Sequence, residues 1–288
     1  MNGGVLMVDD AHNDDDVVAW FEGIRDAASR RYPMTPRTLH YGDAPEQVVD
    51  LWGDPEASTL VLSLHGGYFM QMYDRSLNEP LCRALAVRGI CAANADYRRA
   101  GSTDDPADSV RDVRAALDAV LAYRAHAPRY VVVTGHSAGG YLALTLVDHP
   151  AVTDLIPLAP VTDLERCHAE SLDDGAIEVW VGASPEADAG RWNALRLRPE
   201  EWVSVEGKPR VHIVHGDRDV IVPLHHSHDF EARASDTSLP LVVEVLVDTG
   251  HFEFIDDQSA GARYVVNLIS PIEPISPIEP IDTIGALD

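Results

Sequence analysis

Six runs of mostly apolar residues punctuate the chain, at 59–65, 90–95, 130–134, 154–158, 210–215 and 241–248. Each is of strand length and rich in Val, Ile, Leu or Ala. An apolar run without polar alternation suits a strand buried on both faces of a parallel sheet. Between these runs the spacing becomes helical. The clearest case covers 107–126, where Val110, Val113, Ala116, Leu117, Val120 and Leu121 recur at i, i+3, i+4. Strand and helix signals alternate from residue 37 to residue 268. The alternation predicts an α/β fold, a mostly parallel doubly wound sheet with helices on both faces. Residues 41–52 are expected to add an antiparallel edge hairpin, and residues 1–36 form a helical N-terminal segment.

Two stretches break the rhythm. Residues 160–207 carry Trp180, Trp192 and Trp202 without a strand signal, and read as a small cap-like insertion over one end of the sheet. The tail, 269–288, repeats Ile-Ser-Pro-Ile-Glu-Pro, and its prolines forbid a helix or a central strand. Ile269, Ile272, Ile275, Ile278, Ile281 and Ile284 recur at every third residue, the repeat of a polyproline II helix. One apolar edge results, expected to dock on this subunit or on a second copy as a homodimer. The alternative is a disordered low-complexity tail.

Composition narrows the function. A formal charge of −25 over 288 residues makes nucleic acid and anionic membranes poor partners. Lys208 is the sole lysine, so arginine carries nearly all the positive charge. The first residues turn acidic at Asp9 and Asp10, unlike a secretory signal, and no apolar run approaches a membrane span, so the expected location is cytoplasmic. Cys82, Cys91 and Cys167 share no metal-ligand spacing. The first two are expected in the core, the third in a loop. His225, His226 and His228 do not share one helical face as an i, i+4 metal pair would, so no metal and no cofactor is expected.

Four motifs carry the chemistry. Gly135-His136-Ser137-Ala138-Gly139-Gly140 follows an apolar run and precedes a helical one, the context of the G-x-S-x-G turn that exposes a nucleophilic serine. His65-Gly66-Gly67-Tyr68 follows the run at 59–64, where a glycine turn can aim backbone N–H groups at an oxyanion. The expected donors are Gly67, Tyr68 and Ala138, with Gly66 as the alternative and His65 as a brace. Gly216-Asp217-Arg218-Asp219-Val220 offers the acid, Asp219 first and Asp217 second, while Asp163 stands where such folds also place it. Thr249-Gly250-His251-Phe252 supplies the base after the last strand, completing the chain order Ser137, Asp219, His251. Tyr68, Phe69, His136, Trp180 and Val220 are the expected pocket residues, the tryptophans being alternatively cap core. Asp104, Asp105 and Asp108 are expected to cap the following helix.

On these residues the chain resembles the α/β-hydrolases, in particular the kynurenine formamidase and small carboxylesterase branch near the hormone-sensitive-lipase-like esterases. The resemblance covers roughly 55–268 and includes Asp74-Arg75-Ser76 and Pro160-Val161-Thr162-Asp163-Leu164. Phe69 stands where formamidases usually carry Trp, and Asp219-Val220-Ile221-Val222-Pro223 is more similar to general esterases. The resemblance implies a serine hydrolase acting on a small acyl or aryl ester. The alternatives are an arylformamidase and a non-hydrolytic binding protein on the same fold.

Overall fold

The computed structural model describes residues 14–204 and 209–270; the tail repeat from 271 onward lies outside the described residues. The strands are β1 (Arg37–His40), β2 (Val48–Trp52), β3 (Thr59–Leu64), β4 (Cys91–Ala95), β5 (Tyr130–His136), β6 (Asp154–Leu158), β7 (Arg210–Gly216) and β8 (Leu241–Leu246). The α-helices are α1 (Asp14–Arg31), α2 (Glu79–Ala86), α3 (Ala107–Tyr123), α4 (Ala138–Leu144), α5 (Leu164–Ala169), α6 (Ala176–Val181), α7 (Ala189–Leu195), α8 (His225–Ala234) and α9 (Ala260–Ile269).

The strands form one eight-stranded sheet in the order β1-β2-β4-β3-β5-β6-β7-β8. β2 runs antiparallel to β1 and β4, and every other pairing is parallel. From β3 the chain passes to β4 on one side and then to β5 on the other. The carboxyl ends of β3 and β5 therefore flank the switch point, where doubly wound sheets accept ligands.

The apolar runs are strands because both of their faces are covered. Leu60, Leu62 and Leu64 of β3 belong to one core with Val113, Leu117 and Val120 of α3 and Tyr141 and Leu142 of α4. Val61, between them, joins the opposite core with Leu81 and Leu85 of α2 and Val265 and Val266 of α9. Burying one such side chain contributes roughly 1.5–3 kcal/mol before ordering costs. α1 lies against α2, and Arg31 is tied to Asp257 at 2.5 Å.

Several boundaries differ from the sequence expectation. The edge hairpin begins at Arg37, and 41–47 is its connection, because Gly42, Asp43 and Pro45 favour a turn over a ladder. α3 stops at Tyr123 because Arg124 turns to extended backbone and its guanidinium binds the Pro55 and Ala57 carbonyls. Asp105 supports the start of this helix by accepting from Ala107 N at 3.0 Å, while Asp108 pairs with Arg98 and Arg111. Cys167 is buried in α5 rather than in a loop, and burial pushes its thiol up to about 12. Among the described residues of the stretch 160–207 are three short α-helices, α5 to α7, and a 3-10 helix at Pro199–Ser204, with Trp180 and Trp192 buried.

Leu117, fully buried on α3, tests this core. Leu117→Ala should cost about 2–5 kcal/mol, read as a lower midpoint in denaturant with an unchanged slope.

Candidate active site

Ser137 occupies the junction of β5 and α4 with φ 55° and ψ −116°, a region that non-glycine residues avoid. Its N–H donates to the Leu158 carbonyl at 2.9 Å, and its carbonyl accepts from Gly140 at 2.9 Å. These bonds hold the turn against its strain. Close backbone approach sets the residue next door but one: a Cβ on Gly139 would stand 2.2 Å from the Leu64 carbonyl oxygen. Only glycine lets α4 start this near the end of β3.

The loop after β3 comes to the same place. A Cβ on Gly66 would lie 3.2 Å from Ser137 Cβ, so the His65-Gly66-Gly67 turn runs alongside the serine. Gly67 has φ 102°, and a Cβ there would collide with the Tyr73 side chain at 2.5 Å. Tyr68 and Phe69 follow at φ 47° and 59°, in a turn closed by Met70 N donating to Gly67 O at 2.9 Å. Two successive aromatic residues at positive φ cost on the order of 1–3 kcal/mol each. The loop is pinned to repay that cost. The Phe69 ring stacks on Trp180 at 3.8 Å, and the Tyr68 hydroxyl donates to the carbonyls of Leu172 and Ile221. Among the described residues, no hydrogen bond consumes the N–H groups of Gly67, Tyr68 or Ala138.

His65 is fully buried behind this loop. Its Nε2 meets Asp96 at 3.1 Å, its ring stacks on Tyr97, and its carbonyl accepts from the Tyr97 hydroxyl at 2.7 Å. Asp96 in turn pairs with Arg99 and Arg75.

His251, in the loop after β8, is buried, and its Nδ1 lies 2.7 Å from Asp219 Oδ2. Asp219 sits after β7, where its Oδ1 accepts from Ile221 N and Val222 N at 2.9 and 2.8 Å. Burial alone would raise the Asp219 pKa. The His251 and His215 imidazoles outweigh it and hold the carboxyl well below the usual carboxylate range. The other two acids stand apart: Asp217 is exposed, and Asp163 caps α5 by accepting from Arg166 N at 3.0 Å.

His136 is fully enclosed beside this pair. Its Nε2–H donates to the His251 carbonyl at 2.9 Å, and the two rings are 4.5 Å apart. Burial, followed by the neighbouring His251, pushes its pKa down to about 3.

Sequence reasoning missed two groups. His215, at the end of β7, reaches Asp219 Oδ2 at 3.3 Å and the Val222 carbonyl at 2.8 Å, while its Nδ1 takes a hydrogen bond from Ser227. A histidine two residues before Asp217, at the end of the strand, was the available signal. The second is α1, whose Trp20 and Phe21 pack on Phe252, which meets the His251 ring edge to face at 5.1 Å. Nothing local ties those aromatics to a loop over two hundred residues away.

The expected pocket residues divide. Tyr68 and His136 lie at the site, and Val220 is 61% exposed on the acid loop. Phe69 and Trp180 instead pack with Tyr141 in the hydrophobic core, as a strut behind the turn. Their mutual stacking satisfies the large apolar faces that suggested a pocket wall. Trp202 packs against Phe230 of α8. Among the described residues, Glu170, His225 and His226 form a group able to hold a metal ion, away from Ser137 in sequence and on other elements.

Comparison with known proteins agrees with this fold. The model of the prolyl oligopeptidase family matches residues 82–268. The esterase LipQ of Mycobacterium tuberculosis is 24% identical over 268 residues, covering 84% of this chain; the chain spans 62% of that protein's length. The propionate-bound esterase 2 of Thermogutta terrifontis superposes with a TM-score of 0.64 at 21% identity, covering 84% of this chain and 96% of that one. Esterase B of Lactobacillus rhamnosis gives a TM-score of 0.66 at 18% identity over 90% and 96% of the two chains. At these identities the two structures show a shared fold, the α/β-hydrolase fold.

The buried His136 has a consequence for acid stability. Its folded pKa lies below the ordinary value of 6.5, so the unfolded chain binds the extra proton, and stability falls as pH drops from 6.5 towards 3. The Asp219 contribution is lost only below the ordinary carboxylate range. Between pH 6.5 and 4.5 the melting temperature should therefore fall less in His136→Gln than in the wild type. Equal slopes in the two proteins would show that His136 is not held neutral.

Proposed function

Because the chain belongs to the prolyl oligopeptidase family, within the α/β-hydrolase superfamily, we propose that it is a serine hydrolase cleaving carboxylic esters through Ser137, His251 and Asp219. The observation that carries the reading is the buried 2.7 Å contact between His251 Nδ1 and Asp219 Oδ2, with His251 packed on His136, the residue before a serine on a strained turn. A carboxylate there makes Nδ1 the protonated nitrogen and leaves the Nε2 lone pair for the serine.

In this reading Ser137 Oγ attacks the ester carbonyl carbon while His251 Nε2 takes its proton. The carbon–oxygen bond to the alcohol then breaks, and the imidazolium returns the proton to the leaving oxygen. Water, activated by the same imidazole, releases the acid from the acyl-enzyme. The oxyanion falls to the N–H groups of Ala138 and of the Gly67-Tyr68 turn, which no other hydrogen bond among the described residues consumes. One such donor is typically worth about 3 kcal/mol in the barrier. Ester over amide rests on the esterase relative, at 24% identity.

Ser137→Ala should abolish turnover without lowering the melting temperature, and a fluorophosphonate should label the wild type at Ser137 alone. Asp219→Asn should cost about 10⁴-fold in kcat, because an amide favours the wrong tautomer. Asp163→Asn should change kcat little, since its carboxylate caps a helix. A mild Asp219→Asn beside a crippled Asp163→Asn would move the acid to the end of β6.

Substrate class is tested separately, by comparing kcat/KM for p-nitrophenyl butyrate, N-formylkynurenine and a proline-containing peptide amide. The butyrate should be the best substrate. A tenfold advantage for the formamide or the peptide would overturn the ester assignment and leave the triad standing.

A further inference from the structure

Glu170 ends α5, and His225 and His226 open α8, so the fold brings together residues more than fifty positions apart. His225 Nε2 lies 3.1 and 3.0 Å from the two Glu170 carboxylate oxygens, and His226 Nε2 lies 3.3 Å from Oε2. The two imidazoles are 4.9 Å apart with their planes inclined by 27°, and both Nε2 atoms point at one carboxylate. Donor atoms of all three residues lie within 4.8 Å of one another.

Neighbouring histidines on one helix would not converge by themselves, which is why the sequence offered no metal site here. The missing ligand comes from the insertion. His228, the third histidine of the cluster, is not part of it: its Nδ1 faces Glu231 at 3.9 Å.

We propose that Glu170, His225 and His226 bind one divalent transition-metal ion, of which Zn²⁺ is the best match, clamping the insertion to α8. An ion bound at about 2.0–2.1 Å in tetrahedral geometry sets its ligand atoms about 3.3–3.4 Å apart. The separations of 3.0 and 3.3 Å from Glu170 Oε2 to the two imidazoles lie at or just below that spacing, so small outward side-chain shifts admit the ion. The donor set fixes the class of metal. Two imidazoles and a carboxylate suit Zn²⁺, Co²⁺ or Ni²⁺, whereas Mg²⁺ and Ca²⁺ take oxygen ligands. A fourth position remains for water.

The surroundings fit a ligating carboxylate. Arg166 Nε donates to Glu170 Oε1 at 2.6 Å and leaves Oε2, the oxygen that both imidazoles face. Outer hydrogen bonds of this kind orient metal ligands. The other arm of Arg166 is held by Asp229. His226 is buried and fixed, its carbonyl accepting from Thr162 at 2.7 Å, while Glu170 and His225 remain reachable from solvent.

The test uses untagged full-length protein, stripped with a chelator and titrated with Zn²⁺ or Co²⁺ alone. One ion should bind per chain. Co²⁺ should develop the visible bands of a low-coordinate imidazole site, and Zn²⁺, but not Mg²⁺, should raise the melting temperature by several degrees. Glu170→Gln and His225→Ala lie at the surface and should each weaken affinity tenfold or more, without changing the metal-free melting temperature. His228→Ala should bind as the wild type does. His251→Ala separates this site from the catalytic imidazole and should also retain the ion. The proposal is overturned if no saturable binding appears, or if binding survives Glu170→Gln and disappears in His251→Ala.

Discussion

The approach of α4 to the end of β3 sets the geometry of everything around Ser137. A side chain at Gly139 would meet the Leu64 carbonyl at 2.2 Å, so the helix can begin here only because that position carries none. With the helix so close, the connecting residue has no room for an ordinary conformation and takes φ 55°. The strain places the Ser137 hydroxyl at the switch point of the sheet rather than in its core. The same closeness brings the turn after β3 alongside, and with it the N–H groups of Gly67 and Tyr68. Packing of the two central strands and the serine's presentation are therefore one constraint.

A second constraint is electrostatic. Asp219 is a buried carboxylate, and a buried charge without partners is expensive. Here it receives two backbone N–H groups and faces two imidazoles. His215 is itself held by Ser227 and Val222, and the carboxylate cannot swing away from His251 without leaving the Ile221 and Val222 N–H groups unsatisfied. The third imidazole, His136, contributes by being neutral. Its N–H fixes the backbone of His251 while adding no competing positive charge next to it.

Much of this was legible in the sequence, for reasons that also explain the rest. Strands buried on both faces announce themselves as apolar runs, and β3, β5 and β6 begin where their runs begin. β1 did not, because Arg37–His40 is a mostly exposed edge whose residues carry no pattern. The serine, the acid and the histidine each lie in a loop after a strand and follow in the expected chain order; the structure brings His251 to Asp219 and leaves Asp163 on its helix. What composition could not show is who stands behind whom. Phe69 and Trp180 are 111 residues apart in the chain, and their stacking, which turns supposed pocket walls into a brace, depends on how the insertion folds back. The same holds for Glu170 opposite His225. Periodicity sees one element at a time, and these contacts join two.

The Tyr68 hydroxyl bridges three segments: its own turn, the insertion through Leu172, and the acid loop through Ile221. The segment that carries Leu172 lies outside the sheet. Yet one phenol ties it to the loop that carries Asp219. Exchange of that segment between homologues is thus constrained in an unexpected place. A grafted insertion must present a carbonyl where Leu172 does, or the phenol holds the acid loop alone and the insertion loses its anchor to both. The conformation of the insertion and that of the turn beside Ser137 are then inherited together, and selection on one drags the other with it.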